Sequence, residues 1–362
     1  MFYHLFYPLS ADYSIFNVFR YITFRSAYAG ITALVVCLVV GPAMIRLLQK
    51  LSIKERIRED GPEAHQVKSG TPTMGGLLIL FAFLLSTLLW SNLSNTYIWV
   101  MIFVSTGYGL LGFYDDWAKL KRGDGLKART KMIFQILLGF GVALFLTYLD
   151  PNRASFSTVL YVPFLKDFTP DIGELAYLVL IVLVIVGTSN AVNLTDGLDG
   201  LAIGPIIIAM VTYTVIVYLC GHFKFSEYLN IRFIKDAGEV AVLTSSVVGA
   251  SLGFLWFNAY PAQMFMGDVG SLSLGAILGT LAVISKHELL LILIGGIFVI
   301  EALSVIIQVA YFKYTKGKRF FKMAPLHHHF EKSGWEEPKV IVRFWIVAVV
   351  LAMVSLSTLK LR

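Results

Sequence analysis

Apolar runs of about twenty residues, long enough for a helix to cross the hydrocarbon core of a bilayer, recur along the chain. They begin near residues 24, 72, 97, 132, 173, 201, 238, 271, 288 and 341, and a turn or a charged cluster closes each one. This spacing predicts an all-α polytopic membrane protein of about ten transmembrane helices. No repeat and no low-complexity tract interrupts the pattern, so residues 1–362 read as a single integral-membrane domain. Met1 to Ser10 lacks a cationic segment followed by a short apolar core and a small-residue cleavage site, so no removable signal peptide is expected.

Composition agrees with that pattern. With 57% hydrophobic and 15% charged residues and a mean hydropathy of +0.74, the chain is too apolar for an ordinary soluble domain. Cys37 and Cys220 both fall inside apolar runs, where a thiol acts as a small hydrophobe, so neither a disulfide nor redox chemistry is expected. Of the 30 Lys and Arg residues, 19 lie in the stretches 49–71, 115–131 and 311–343, which share one side if the spans alternate. The opposite gaps hold few: Arg153 and Lys166, then Lys224, Arg232 and Lys235, then Lys286. The positive-inside rule makes the rich side cytoplasmic and both termini periplasmic. The net charge of +7 follows mostly from these loops and suits anionic lipid headgroups or a phosphorylated substrate. No nucleic-acid partner is expected.

The acidic clusters sit where apolar runs end, all on the predicted cytoplasmic face. Asp115-Asp116 closes one run; adjacent carboxylates repel, so the pair needs a divalent metal or a lysine, unless it is an exposed helix end flanked by Lys119, Lys121 and Arg122. Asn190 to Gly200 is more specific. Its amides, acids and glycines make a tight turn that offers oxygen ligands and N–H groups to a cation or a phosphate. Asn193-Leu194-Thr195 also fits a glycosylation sequon, but its predicted side excludes that use, and Asp196 and Asp199 lack EF-hand spacing. Phe254 to Ser271 adds Asn258, Phe265 and Asp268, the last between two glycines. Phe265 can stack on a planar base or simply pack. Oxygen ligands without thiolates favour Mg²⁺ over zinc.

Three further features carry weight. His327-His328-His329 cannot all chelate one ion from a regular helix, because successive residues point about 100° apart; the rings can instead contact phosphate, move protons or line a solvated loop. Lys68 precedes a helix start signalled by Thr71 and Pro72, where anions bind well. Glu301, Ser304 and Gln308 form an i, i+3, i+7 stripe that should face the bundle interior.

Together, Gly70 to Gly76, Asp115-Asp116, Asn190 to Gly200, Phe265 to Asp268 and Ala324 to Glu331 resemble the bacterial phospho-N-acetylmuramoyl-pentapeptide-transferase family. The acid pair alone resembles the wider polyprenyl-phosphate N-acetylhexosamine-1-phosphate transferase superfamily; the His run followed by Gly334-Trp335 narrows it. The resemblance implies a homodimer in the bacterial cytoplasmic (inner) membrane, with its active site facing the cytoplasm. It also implies a Mg²⁺-dependent transfer of phospho-N-acetylmuramoyl-pentapeptide from its UDP-activated form to undecaprenyl phosphate, giving lipid I and UMP for peptidoglycan synthesis. Asp268 would bind the metal. Asp115, Asp116, Asp268 and His328 would be catalytic, and Lys68, Asn193, Asp196, Asp199, Phe265, Gln308, His327 and His329 would contact substrate. A sister transferase using UDP-N-acetylglucosamine is the alternative. A transporter is a distant one, since ion-coupling acids usually lie near the bilayer midplane, and only Glu301 is expected deep in a span.

Overall fold

The computed structural model describes residues 1–51, 70–150, 157–165 and 168–360. Ten apolar helices carry the fold: α1 (Ile22–Lys50), α2 (Gly76–Trp90), α3 (Thr96–Arg122), α4 (Ala128–Leu144), α5 (Gly173–Thr195), α6 (Ile203–Cys220), α7 (Val240–Asn258), α8 (Gly267–Ile284), α9 (Gly296–Tyr314) and α10 (Glu337–Ser357). Among the described residues, nine of the apolar helices are long enough to cross a membrane, and the extended pairing amounts to an isolated β-bridge, Val159 with Asp171. The fold is all-α and polytopic, as the apolar runs predict.

Two helix starts differ from expectation. Thr71 and Pro72 do not open a helix: α2 begins at Gly76, because the backbone of 72–76 pairs with the loop before α8 instead. Phe265 N–H donates to the Pro72 carbonyl, Gly75 N–H to Phe265 and Gly76 N–H to Met266, each at 2.8 Å. That leaves α2 with 15 residues, about 22 Å of helix. The run from 288 first forms the short helix Leu291–Ile294 and then breaks at Gly295, and α9 begins at Gly296.

Helix α8 is the axis of the bundle. Every residue from Val269 to Ile284 is buried, and α8 runs along both α5 and α3. Small residues allow the close approach to α5: a Cβ on Gly275 would lie 2.6 Å from Ser189 Cα, and one on Gly279 would lie 2.9 Å from Ile185 Cα. Ser189 Oγ closes the same seam by donating to the Leu272 carbonyl at 2.9 Å. Exposed apolar side chains occupy the outer faces instead, such as Ile133 and Leu137 on α4 and Val350 and Met353 on α10. Cys37 and Cys220 are both buried, as expected of small hydrophobes.

Candidate active site

The ends of α3, α5 and α7 and the start of α8 meet at one end of the bundle, and the acids of the sequence motifs meet there too. Capping fixes how far α3 runs. Asn95 accepts the Tyr97 N–H at 2.9 Å at its start, and Gly123, at φ +86, ends it. Asp115 and Asp116 thereby fall in the last two turns of α3, and Asp268 falls in the first turn of α8.

Glycine lets these helices touch. A Cβ on Gly112 would sit 2.3 Å from the Asp268 carbonyl oxygen. Gly267 enters α8 at φ +71, where only glycine is unstrained, and a Cβ there would lie 2.7 Å from Asp116 Oδ2. Carboxylate oxygens of Asp115, Asp116 and Asp268 consequently lie within 4.8 Å of one another.

Three carboxylates this close repel unless cations lie among them. Lys119, one turn along α3, reaches all three: 2.8 Å to Asp115, 3.2 Å to Asp116 and 2.9 Å to Asp268. Lys131 on α4 adds contacts of 2.5 Å to Asp268 and 3.4 Å to Asp115. Neutral donors fix the remaining oxygens. Leu126 N–H donates to Asp115 at 2.6 Å, Val269 N–H to Asp116 at 3.3 Å and Asn193 Nδ2 to Asp268 at 2.8 Å. The same Asn193 amide donates to Ser271 Oγ at 2.8 Å.

With every group ionised, three acids and two ammoniums leave one negative charge. A divalent cation reverses the sign, which suits an incoming diphosphate. The atoms that could ligate it are all carboxylate oxygens, a hard donor set that fits Mg²⁺. Lys119 is the ammonium able to move aside, since its side chain is 45% exposed against 16% for Lys131.

Two loops frame the cluster. In the turn after α5, Asp196 is half-buried, while Asp199 is only 3% exposed. The Asp199 carboxylate accepts the Ala262 N–H at 2.9 Å, and its own N–H donates to Glu337 at 3.1 Å. Asn258 binds both loops together, accepting from Gly200 N–H at 3.0 Å and donating to the Met264 carbonyl at 2.9 Å. Phe265 extends from this laced loop, half-buried.

The histidines sit on a six-residue helix, Leu326–Glu331. His327 is fully buried and faces Glu301 of α9; His328 faces Glu331 at 2.7 Å; His329 Nδ1 accepts the Lys322 N–H at 3.1 Å. The predicted inward stripe of α9 is present, with Glu301 and Ser304 buried and Gln308 half-buried.

Of the residues singled out in the sequence, the structure brings Asp115, Asp116, Asp268 and Asn193 into one hydrogen-bonded cluster. Asp199 braces a loop. Gln308 braces another, accepting from Phe320 and Phe321 N–H at 3.1 and 2.9 Å. Lys68 lies outside the described residues. Lys119 and Lys131 were not among the expected site residues. The i, i+4 spacing of Lys119 from Asp115 announces its contact, whereas Lys131 reaches the cluster only because the 123–127 turn folds α4 back along α3.

A profile of glycosyl transferase family 4 matches residues 98–286, which contain the whole acidic cluster, and gives the broad class of the chain. A narrower signature of phospho-N-acetylmuramoyl-pentapeptide-transferase, its first, matches residues 68–80. Full-length relatives carry the same name. Those of Citrifermentans bemidjiense and Pelobacter propionicus are each 57% identical over 364 aligned positions, and that of Nitratidesulfovibrio vulgaris is 56% identical, with 100% of both chains covered in every case. The chain belongs to the phospho-N-acetylmuramoyl-pentapeptide-transferase family.

Proposed function

We propose that this protein transfers phospho-N-acetylmuramoyl-pentapeptide from its UDP-activated form to undecaprenyl phosphate, yielding lipid I and UMP. The observation that carries the reading is the convergence of Asp115, Asp116 and Asp268 with Lys119 and Lys131 at one end of a membrane bundle. A lipid phosphate must approach sideways from the bilayer and a charged nucleotide from water, so a site for both belongs at an interface. The distribution of Lys and Arg supports a cytoplasmic site and periplasmic termini in the inner membrane of a bacterium. The family resemblance supports a homodimer.

Phosphoryl transfer asks little covalent chemistry of a protein; positioning and neutralising charge supply most of the acceleration. Asp268 would hold Mg²⁺, with Asp115 and Asp116 beside it. When bound, Mg²⁺ would neutralise diphosphate oxygens and the charge that develops on departing UMP. Lys119 would turn from the acids toward the same phosphates, while the more buried Lys131 stays against Asp268. Asn193, by donating to Asp268, keeps that carboxylate oriented, and the Val269 N–H does so for Asp116. The acceptor needs little activation, because a phosphate monoester loses its second proton at a pKa of about 6. Its oxygen attacks the β-phosphorus directly, the bond to the bridging oxygen breaks, and UMP departs. Asp115 or Asp116 takes any residual proton.

The test is turnover by the purified full-length chain. With undecaprenyl phosphate as acceptor, UDP-N-acetylmuramoyl-pentapeptide should yield a lipid-linked product and UMP. Turnover of UDP-N-acetylglucosamine in its place, or of neither nucleotide, refutes the assignment.

Phe265 and the turn at Asn193 to Asp196 would form the nucleotide pocket, with the ring stacked on uracil. Phe265→Ala should then raise the nucleotide-sugar KM about tenfold, since stacking on an aromatic face is worth about 1–3 kcal/mol per base. Phe265→Trp should raise it far less. Equal changes in both variants would mean that the ring only packs.

A further inference from the structure

The carboxylate of Glu301 is wholly buried in α9, yet its hydrogen bonds all go to the short helix that carries the histidines. Oε2 accepts the Leu326 N–H at 2.8 Å, Oε1 accepts the His327 N–H at 3.1 Å, and Oε2 also faces His327 Nδ1 at 3.1 Å. Leu326 and His327 open that helix, so Glu301 satisfies two of its unpaired N–H groups from another element, as an N-cap would do locally. A carboxylate oxygen accepts hydrogen bonds, so the Nδ1 that faces Oε2 is the nitrogen that carries a hydrogen toward Glu301, and Nε2 is the ring's other polar atom.

That second nitrogen is anomalous. His327 Nε2 is buried and has no hydrogen-bond partner among the described residues. It presses on the turn that bears Asp196: a Cβ on Gly197 would lie 2.3 Å from it. A buried polar nitrogen left without a partner destabilises the fold. An apolar side chain in the same place would avoid that cost.

We propose that Glu301 is a positioning residue for the transfer reaction. It fixes His327 in the Nδ1–H tautomer and seats the helix bearing His328 against the turn at 193–200. Once the turn at Gly197 shifts off it, His327 Nε2 accepts a hydrogen bond from an N–H or O–H of the bound nucleotide sugar. The inference rests on the transferase reading and refines one side of its substrate pocket.

The experiment compares Glu301→Gln, His327→Asn and the double variant, in the full-length chain, by kcat, by KM for each substrate and by thermal melting. Glu301→Gln should raise the KM for UDP-N-acetylmuramoyl-pentapeptide about tenfold, which is about 1.4 kcal/mol, and leave that for undecaprenyl phosphate unchanged. The double variant should lose no more than the worse single one, because both changes break one device. Additive losses, or a lowered melting temperature with both KM values unchanged, would overturn the proposal. Should the variants fail to fold, ¹⁵N-histidine spectra of the unaltered protein decide it. One ring should show a protonated Nδ1 and a bare Nε2 whose resonance moves when the nucleotide sugar binds; no movement overturns the idea. If the unaltered chain turned over neither nucleotide sugar, the transferase reading itself would have failed, a result distinct from an active chain indifferent to Glu301→Gln.

Discussion

Asp268→Asn is expected to lower kcat about a hundredfold or more, the scale of losing one charge-stabilising contact in the transition state, about 3 kcal/mol. The substitution keeps an oxygen to accept from Asn193, so the local fold should survive. What it removes is the negative charge facing Lys131 at 2.5 Å and Lys119 at 2.9 Å, and with it a ligand for the cation. Activity measured across a Mg²⁺ series, with melting as a control, checks this. A loss below tenfold at unchanged metal dependence would remove Asp268 from the centre of the site.

Gly112→Ala carries no functional group away, yet it should cost nearly as much. The added methyl would meet the Asp268 carbonyl at 2.3 Å, and a backbone atom cannot step aside as a flexible side chain can. Overpacking of this kind costs about 1–3 kcal/mol of stability. The relief available is for α3 and α8 to separate, which draws Asp115 and Asp116 away from Asp268. Misplacement by about 1 Å can cost a hundredfold in rate. Both the melting temperature and kcat should fall. Gly187→Ala on α5 is the matched control, since a Cβ there meets nothing within 4 Å; it should leave kcat unchanged. Equal behaviour of the two variants would mean that the α3–α8 contact does not set the site.

Much of this architecture is legible in the order of residues, for a physical reason. A bilayer forces every spanning segment to be long, apolar and helical, so ten runs announce ten helices. The start of α2 was hidden because Thr71-Pro72 is a sound local helix signal, overridden by backbone pairing with a loop almost two hundred residues away. Asp115-Asp116 and Asp268 could be read as related only through their shared face; the contact between them depends on Gly112 and Gly267, whose role appears once α3 and α8 cross. Glu301 was visible as an inward acid, but its partner was not, because a buried carboxylate says nothing of which distant N–H groups it caps. Asp199 shows the converse. Its polar neighbourhood suggests a substrate contact, and what could not be read is that its carboxylate also ties down the Ala262 loop. Lys131 left no trace beyond its place in a basic stretch, where membrane-surface contact explains a lysine equally well.

The claim on which the rest depends is that Asp115, Asp116 and Asp268 together form a divalent-cation site. Mn²⁺ binding to the purified full-length chain, followed by electron paramagnetic resonance with Asp268→Asn alongside, tests it without reference to turnover. A saturable site in the unaltered protein, competed by Mg²⁺ and abolished in the variant, is the expected result. Equal Mn²⁺ binding by both proteins, or no binding by the unaltered one, would contradict it.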